Sequence, residues 1–337
     1  MLDVSMLNVS LLNLPSLNLP VLNAFSAPIL LFIAVLLCKK IINHFYSVSR
    51  INFFHLYCQN LALKVNKPNN SQQQQKIAGL MATVITFTPL IMIVWLFGFF
   101  IEVTWLWQGF ILYFSLGKVN LAQTNKILAQ ALVAKQTYLA KQTLNPLVLR
   151  NTEQLSEIGL SKACIEMQLL KTLQQGFVVT CYFLLLGPLA ALGYRILLEM
   201  HYSWNIKHKQ FNHFGLPVHY LTKYLEWLPV RIFTLMMLLS ITGQSLSLCW
   251  RLIRGKFFQL NNNIAIHCLS LSLSIKLGGV AMYGKEKLRR ESFNEHARQP
   301  QPTDIIHANK RIKQPIYLGL TALVLTAIFA LVIQINS

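Results

Sequence analysis

Long apolar stretches separated by short basic ones constrain this chain more than any other feature. Six segments are apolar enough to enter a bilayer: 24–38, 77–101, 103–116, 176–198, 228–250 and 317–335. Only 12% of the residues are charged, whereas a soluble domain carries about 25%. Because backbone groups in lipid must be satisfied within the segment itself, such stretches form helices. The sequence therefore predicts an all-α, polytopic membrane protein with about 4–6 membrane-embedded helices.

The distribution of charge predicts how these helices are oriented. The net charge is +19, and the basic residues concentrate in the loop 39–76, in 117–175 and just after residue 250. Basic loops favour the cytoplasmic side of a bacterial inner membrane, and the positive excess favours anionic lipid as a partner. No soluble domain carries a basic face interleaved with aromatic residues, so we expect no nucleic-acid partner.

The same composition changes divide the chain into four parts. Residues 1–23 repeat Leu-Asn every five positions and are interpreted as a low-complexity extension. Residues 24–116 hold the first membrane helices. Residues 117–175 are half apolar with helical spacing and predict a cytoplasmic helical hairpin. Residues 176–337 form a second membrane region that ends in the span 317–335.

One segment leaves two topologies open. Gly187-Pro188 interrupts 176–198, which either crosses the membrane once or forms a re-entrant hairpin. The side of the membrane on which 199–226 lies depends on that choice. This loop holds four histidines that lack the i,i+4 spacing common among metal ligands, so we expect interfacial histidines and predict no metal site.

Arg231 lies at the mouth of the apolar segment 228–250, and Arg195 lies inside 176–198. A cation in such a position is costly unless water, phosphate or a protein group satisfies it. Two interpretations stay open: a phosphate contact that uses the planar guanidinium, or a structural role, in which the head group either snorkels to the interface or forms an ion pair. For Gly278 and Gly279, composition favours close helix packing over the approach of a ligand.

Several motifs follow one another in an order that resembles a known family. They are Arg150-Asn151-Thr152-Glu153, Ile165-Glu166, Leu186-Gly187-Pro188, Gly193-Tyr194-Arg195, Trp227-Leu228-Pro229-Val230-Arg231 and Leu277-Gly278-Gly279. The series is similar to the membrane-bound cobalamin biosynthesis proteins of the CobD/CbiB family, the adenosylcobinamide-phosphate synthases, over roughly residues 118–335. The resemblance implies a ligase that joins an amino alcohol phosphate to a corrinoid carboxylate, with ATP and magnesium.

The chain departs from that pattern where the synthases carry acids or amides. Asn151 stands in place of an aspartate, and Leu170, Lys171 and Gln174 replace an acid-amide cluster. Residues 197–201 differ as well, and Thr222-Lys223 replaces paired aspartates. These losses favour a sister branch, the AmpE-like inner-membrane proteins, which resemble the chain in Leu225 to Arg231.

We therefore expect an AmpE-like regulatory or signalling protein of the inner membrane, related to cell-wall and β-lactamase regulation. Such a protein would have lost the chemistry, would need no cofactor, and would act through a cytoplasmic or membrane signalling partner. Two alternatives stay open: a working adenosylcobinamide-phosphate synthase in cobalamin biosynthesis, which would use ATP and magnesium, and a lipid-phosphate-binding membrane protein.

No catalytic residue is assigned, but the resemblance and the two intramembrane arginines mark candidates for binding a ligand or phosphate. The candidates are Arg150, Thr152, Glu166, Tyr194, Arg195, Glu226, Trp227, Arg231, Gly278 and Gly279.

Overall fold

A computed structural model of the protein describes residues 26–45, 53–117, 121–241, 244–259, 262–283 and 286–336. The predicted extension 1–23 lies outside these ranges. The helices are α1 Ser26–Phe45, α2 Phe53–Val65, α3 Gln72–Gly98, α4 Thr104–Ser115, α5 Leu121–Val133, α6 Thr137–Leu144, α7 Glu157–Thr172, α8 Val178–Leu186, α9 Pro188–Ser203, α10 Leu216–Leu239, α11 Gln244–Phe257, α12 Ile264–Ser272 and α13 Asp304–Asn336. The strands are β1 Leu277–Tyr283 and β2 Glu286–Phe293.

Three helical stretches within the described residues are long and apolar enough to cross a membrane: Gln72–Gly98, Glu157–Leu186 and Asp304–Phe329. Most of their apolar surface is not covered by protein; Phe97 is 57% exposed and Leu325 is 66% exposed. Large apolar patches of this kind mark a surface that faces lipid or another partner. The mostly helical membrane protein expected from composition is thus confirmed, whereas the number of embedded helices and the cytoplasmic hairpin stay predictions.

The first of these helices begins inside a glutamine run that resembles a linker in the sequence. Ser71 Oγ accepts a hydrogen bond from the Gln74 amide at 3.3 Å, and Gln74 Oε1 accepts one from the Ser71 amide at 2.9 Å. This reciprocal capping box satisfies two donors at the start of α3. The glutamines therefore form the first turn of α3 and are not a separate linker.

The helix Glu157–Leu186 runs through the domain boundary predicted between residues 175 and 176. α7 and α8 are joined by a π-helical turn at Leu173–Phe177, so the chain does not stop there. It breaks at Gly187, whose φ of +87° suits glycine, and Pro188 starts α9. The predicted segment 176–198 therefore consists of the end of one helix and most of the next.

The predicted segment 228–250 is also divided between two helices. α10 starts twelve residues earlier than predicted, at Leu216, and ends at Leu239, while α11 begins at Gln244. The buried residues of α10 include Thr222, Glu226 and Arg231. Because these polar groups face protein, the helix is less apolar than a lipid-exposed span would be.

A two-stranded antiparallel hairpin departs from the all-α expectation. β1 and β2 pair with Leu277 opposite Phe293 and Gly278 opposite Ser292, and the register shifts between Gly278 and Val280. Gly278 and Gly279 have φ values of +75° and +90°. The expected helix packing at these glycines is therefore wrong: they form a bulge in a strand, which favours residues without a side chain.

The core brings these elements together around α7 and α10. A large apolar cluster joins α7, α8, α10 and α12, with α13 packed across α7 and α10. A smaller cluster surrounds Trp204 and Phe214, where α2, α3 and α9 meet. α3 approaches so closely there that a Cβ added at Gly79 would lie 2.0 Å from the Phe214 carbonyl oxygen.

We expect Gly79→Ala to lower the free energy of unfolding by about 1–3 kcal/mol, because the added methyl group overpacks a backbone contact. Thermal unfolding of the purified protein in detergent measures this. Gly255→Ala is the matched control, since a Cβ there meets no atom within 4 Å; it should leave stability unchanged or raise it by up to about 1 kcal/mol. Equal unfolding temperatures for both variants would contradict the close approach of α3.

Candidate ligand-binding cavity

A cavity of about 470 Å³ lies between α7, the end of α9, α10 and the β-hairpin. This volume falls within the range of small-molecule pockets, roughly 300–1,000 Å³. The polar and charged side chains of its lining are Glu166, Gln174, His201, Tyr202, Asn205, Lys207, His219, Thr222, Lys223, Glu226, Asn262, Asn263, Arg290 and Glu291. The lining is thus far more polar than the surrounding core.

One wall of the cavity is a polar stripe on α10. His219, Thr222, Lys223 and Glu226 are spaced i, i+3, i+4 and i+7, and all four line the cavity. Residues at these intervals share one face of a helix. The stripe explains why this face of α10 is turned toward the cavity rather than toward lipid.

Glu166 anchors the opposite wall. Its side chain is 4% exposed, and Oε1 accepts a hydrogen bond from the Gly278 amide at 3.0 Å. Oε2 accepts hydrogen bonds from Arg290 Nη1 at 3.0 Å and from Arg150 Nη2 at 3.4 Å. A buried carboxylate is tolerated when paired and hydrogen-bonded in this way. The cluster fastens α7 to the hairpin.

Glu226 is equally buried but has a different environment. Its Oε1 accepts hydrogen bonds from Gln174 Nε2 at 2.9 Å and from the Tyr194 hydroxyl at 3.0 Å, and its Oε2 accepts one from Asn262 Nδ2 at 3.3 Å. All three donors are neutral. Burial raises the pKa of Glu226 to about 7, although these hydrogen bonds act in the opposite direction. The cavity therefore contains a carboxyl group that exchanges a proton near neutral pH.

Arg231 is satisfied by the protein. Its guanidinium donates to the carbonyl of Phe257 at 2.9 Å, the carbonyl of Trp227 at 3.2 Å, Asn262 Oδ1 at 3.1 Å and the carbonyl of Gln259. It also lies 5.0 Å from the centre of the Trp227 ring, within cation–π range. These contacts connect α10 to the segment between α11 and α12, which supports the structural interpretation of this residue.

Asn262 connects Arg231 to the cavity wall through hydrogen bonds. Its Oδ1 accepts from Arg231, while its Nδ2 donates to the Lys223 carbonyl at 3.0 Å and to Glu226. Arg231 is therefore connected to Glu226 through one intervening side chain.

The structure brings together only part of the residues predicted from the sequence. Arg195 forms an i,i+4 ion pair with Glu199 on α9, and Thr152 donates to Asn145 Oδ1 at 3.3 Å. Of the ten candidates, Glu166, Glu226 and Gly278 line the cavity. Arg150 donates a hydrogen bond to Glu166, and Tyr194 donates one to Glu226. The other five candidates are not part of the lining: Arg195, Thr152, Gly279, Arg231 and Trp227. Their roles in binding stay predictions.

Several lining residues were not among the candidates. His201 and His219, expected at the membrane interface, lie with their ring centres 5.3 Å apart in the cavity wall. Burial lowers the pKa of His201 to about 3, with smaller effects from His219 and Lys207. The helical spacing of the α10 stripe was the signal in the sequence that could have identified His219 and Lys223.

The cavity lacks a ready site for a free divalent cation. Within the described ranges no group of three or more His, Cys, Asp or Glu side chains is placed to hold a metal ion. Both oxygens of Glu166 already accept hydrogen bonds from N–H donors. Magnesium usually keeps several waters and is held by one or two carboxylates together with substrate phosphates, so these residues would hold it only together with a bound phosphate ligand.

The fold and the cavity define a class: a mostly helical membrane protein that encloses a polar cavity between an apolar helical core and a β-hairpin. The chain belongs to the CobD/Cbib protein family, whose sequence profile matches residues 50–312. No solved structure matches the chain significantly.

Three curated relatives, each named cobalamin biosynthesis protein CobD, show the extent of the similarity. The Chromobacterium violaceum protein is 29% identical over 173 residues, which cover 51% of this chain and 55% of the relative. The Stutzerimonas stutzeri protein is 26% identical over 231 residues, 68% of this chain and 76% of the relative. The Leptospira interrogans protein is 24% identical over 275 residues, 78% of this chain and 85% of the relative.

These relatives correct the expected function. The curated relatives that match are all named for cobalamin biosynthesis, so the AmpE-like regulatory interpretation is wrong. It depended on lost acids, as at Gln174 and at Thr222-Lys223. Gln174 instead donates to Glu226 and accepts from the Tyr202 hydroxyl at 2.8 Å. The altered positions therefore form part of a hydrogen-bonded cavity wall.

Because a lysine cannot reach several carbonyls at once, we expect Arg231→Lys to lower the free energy of unfolding by about 2 kcal/mol or more. Thermal unfolding in detergent measures the change, with exposed Arg254→Lys on α11 as the control. A variant that unfolds like the wild type would show that Arg231 does not hold the scaffold.

The raised pKa of Glu226 predicts a pH-dependent difference between the wild type and Glu226→Gln. The unfolded chain ionises this group near its ordinary value of 4.5, and the folded chain ionises it only near 7. The folded state therefore binds more protons between these values, so the wild type loses stability as pH rises across this window. The neutral glutamine does not titrate. Between pH 4.5 and 8, the unfolding temperature of the wild type should fall relative to that of Glu226→Gln until about pH 7. A difference between the two proteins that does not change with pH would contradict a raised pKa of Glu226.

Proposed function

We propose that the chain is an adenosylcobinamide-phosphate synthase of cobalamin biosynthesis, located in the bacterial inner membrane as a multi-pass protein. The observation that carries the proposal is the coincidence of the family match with the cavity. All the lining residues, from Leu149 to Phe293, fall within the matched residues 50–312. The relatives that match carry names from the same pathway.

The reaction joins the amine of an amino alcohol phosphate to a carboxyl group of a corrinoid. A primary amine is protonated near neutral pH and becomes nucleophilic when it loses a proton. A general base works best when its pKa lies near the operating pH. Glu226, buried in the cavity wall with a pKa of about 7, has that property.

We assign to Glu226 the role of proton acceptor in this reaction. The nitrogen lone pair forms the new C–N bond, the amine proton passes to the Glu226 carboxylate, and one carboxyl oxygen departs with the phosphate that ATP would supply to activate the carboxyl. Gln174, Tyr194 and Asn262 hold the carboxylate in place during the transfer.

A direct assay tests the proposal. The purified chain, supplied with adenosylcobyric acid, an amino alcohol phosphate, ATP and magnesium, should form the amide product, which mass spectrometry detects. Glu226→Gln should lower kcat by about 100-fold or more, the usual contribution of a general base. The exposed Glu295→Gln, outside the cavity, is the matched control and should keep wild-type activity. A folded wild-type protein that forms no amide would overturn the proposed function.

A further inference from the structure

A cluster of nitrogen-bearing side chains forms one side of the cavity, apart from Glu226. We call His201, Lys207, His219 and Arg290 the basic wall. All four line the cavity, although they come from α9, the loop that follows it, α10 and β2. Their convergence depends on the tertiary fold, since they are spread over 90 positions of the sequence.

The members of the basic wall form a continuous series. The His201 and His219 rings are 5.3 Å apart, and the charge of Lys207 lowers the pKa of both after the larger effect of burial. Lys207 Nζ lies 5.1 Å from the centre of the Tyr283 ring. Tyr283 ends β1, which pairs with β2, the strand that carries Arg290. The loop after α9 and the hairpin therefore meet at this tyrosine.

Several nitrogen atoms of the basic wall are buried without a hydrogen-bond partner in the described structure. Arg290 uses Nη1 for Glu166, but its Nε and Nη2 have no partner. The Nδ1 atoms of His201 and His219 have none either. Buried polar groups are nearly always satisfied, and an unsatisfied one costs free energy. Arg290 thus keeps two N–H groups without an acceptor at the edge of the cavity that it lines.

The charges near the basic wall favour an anionic ligand. Lys223 lies beside His219 and adds a further cation to the lining. Glu291, the acid next to Arg290 on β2, forms an ion pair with Lys256 at 2.5 Å. Glu166 is already compensated by Arg150 and Arg290. The lining cations therefore outweigh the uncompensated acids on this side.

We propose that the basic wall binds a phosphate group, with Arg290 and Lys207 as its charged donors and the two histidine rings beside them. Arginine suits phosphate because its fork donates parallel hydrogen bonds. This assignment rests on the proposed function and sets the orientation of the amino alcohol phosphate in the cavity. Its phosphate lies at the basic wall and its amine faces Glu226. The phosphate groups of the nucleotide are the second source of the same chemistry.

Binding measurements on the purified, full-length chain in detergent test the site without turnover. Isothermal titration calorimetry follows an amino alcohol phosphate and, in a separate arm, ATP without magnesium. Lys207→Gln and Arg290→Gln should each weaken binding of the phosphate-bearing ligand by about tenfold or more, as expected when a charge-assisted hydrogen bond is lost. Lys207→Arg should retain binding, because it keeps the charge and the donors.

The chain offers a matched control for each variant. Lys209 and Arg289 are exposed and do not line the cavity, so Lys209→Gln and Arg289→Gln should bind like the wild type. Because Arg290→Gln also removes a partner of Glu166, its unfolding temperature is measured in parallel. Lys207 does not contact the cluster of Glu166, Arg150 and Arg290. Lys207→Gln therefore still tests phosphate binding if Arg290→Gln unfolds.

The outcomes separate this inference from the proposed function. Weakened binding of the amino alcohol phosphate supports the site with that substrate, and weakened binding of ATP alone supports it with the nucleotide as the source. Wild-type affinity of Lys207→Gln for both ligands overturns the inference even if the protein makes the amide. A wild type that makes no amide, but binds phosphate esters through Lys207, would overturn the function and leave the phosphate site standing.

Discussion

The cavity depends on one buried carboxylate. Glu166 accepts hydrogen bonds from the Gly278 amide and from Arg150 and Arg290, so it connects α7 to a hairpin whose second strand is rich in charged residues. Removing one member of such a cluster leaves an uncompensated charge, which is strongly unfavourable. The hairpin in turn carries Arg290 and Tyr283, and the basic wall depends on both.

The two buried glutamates, Glu166 and Glu226, have different environments and therefore suit different roles. Glu166 has two guanidinium partners and a backbone donor, which suits a structural anchor. Glu226 has three neutral donors and a pKa of about 7, which suits proton transfer. Environments that separate two carboxyl groups in this way often mark distinct roles in catalysis. Arg231 completes the scaffold, because it positions Asn262 and through it Glu226.

Much of the fold could be predicted from the sequence, and the reasons for the exceptions are physical. Apolar stretches marked membrane helices, but the polar face of α10 hid its true start at Leu216, since hydropathy averages over both faces. The β-hairpin was not predicted, because Gly278 and Gly279 act through their backbone conformation and not through side chains. The lost acids suggested lost chemistry, whereas substitutes such as Gln174 belong to a connected network. The basic wall could not be predicted, because only tertiary packing unites its residues.

In the proposed enzyme, one cavity holds an amino alcohol phosphate between the proton-accepting Glu226 carboxylate and the basic wall. The most direct measurement is an electron cryo-microscopy map of the full chain in a nanodisc with this ligand bound. We expect density for the phosphate against Lys207 and Arg290, with the amine beside Glu226. Ligand density outside the cavity, or with the phosphate at Arg231 or Arg195, would contradict it.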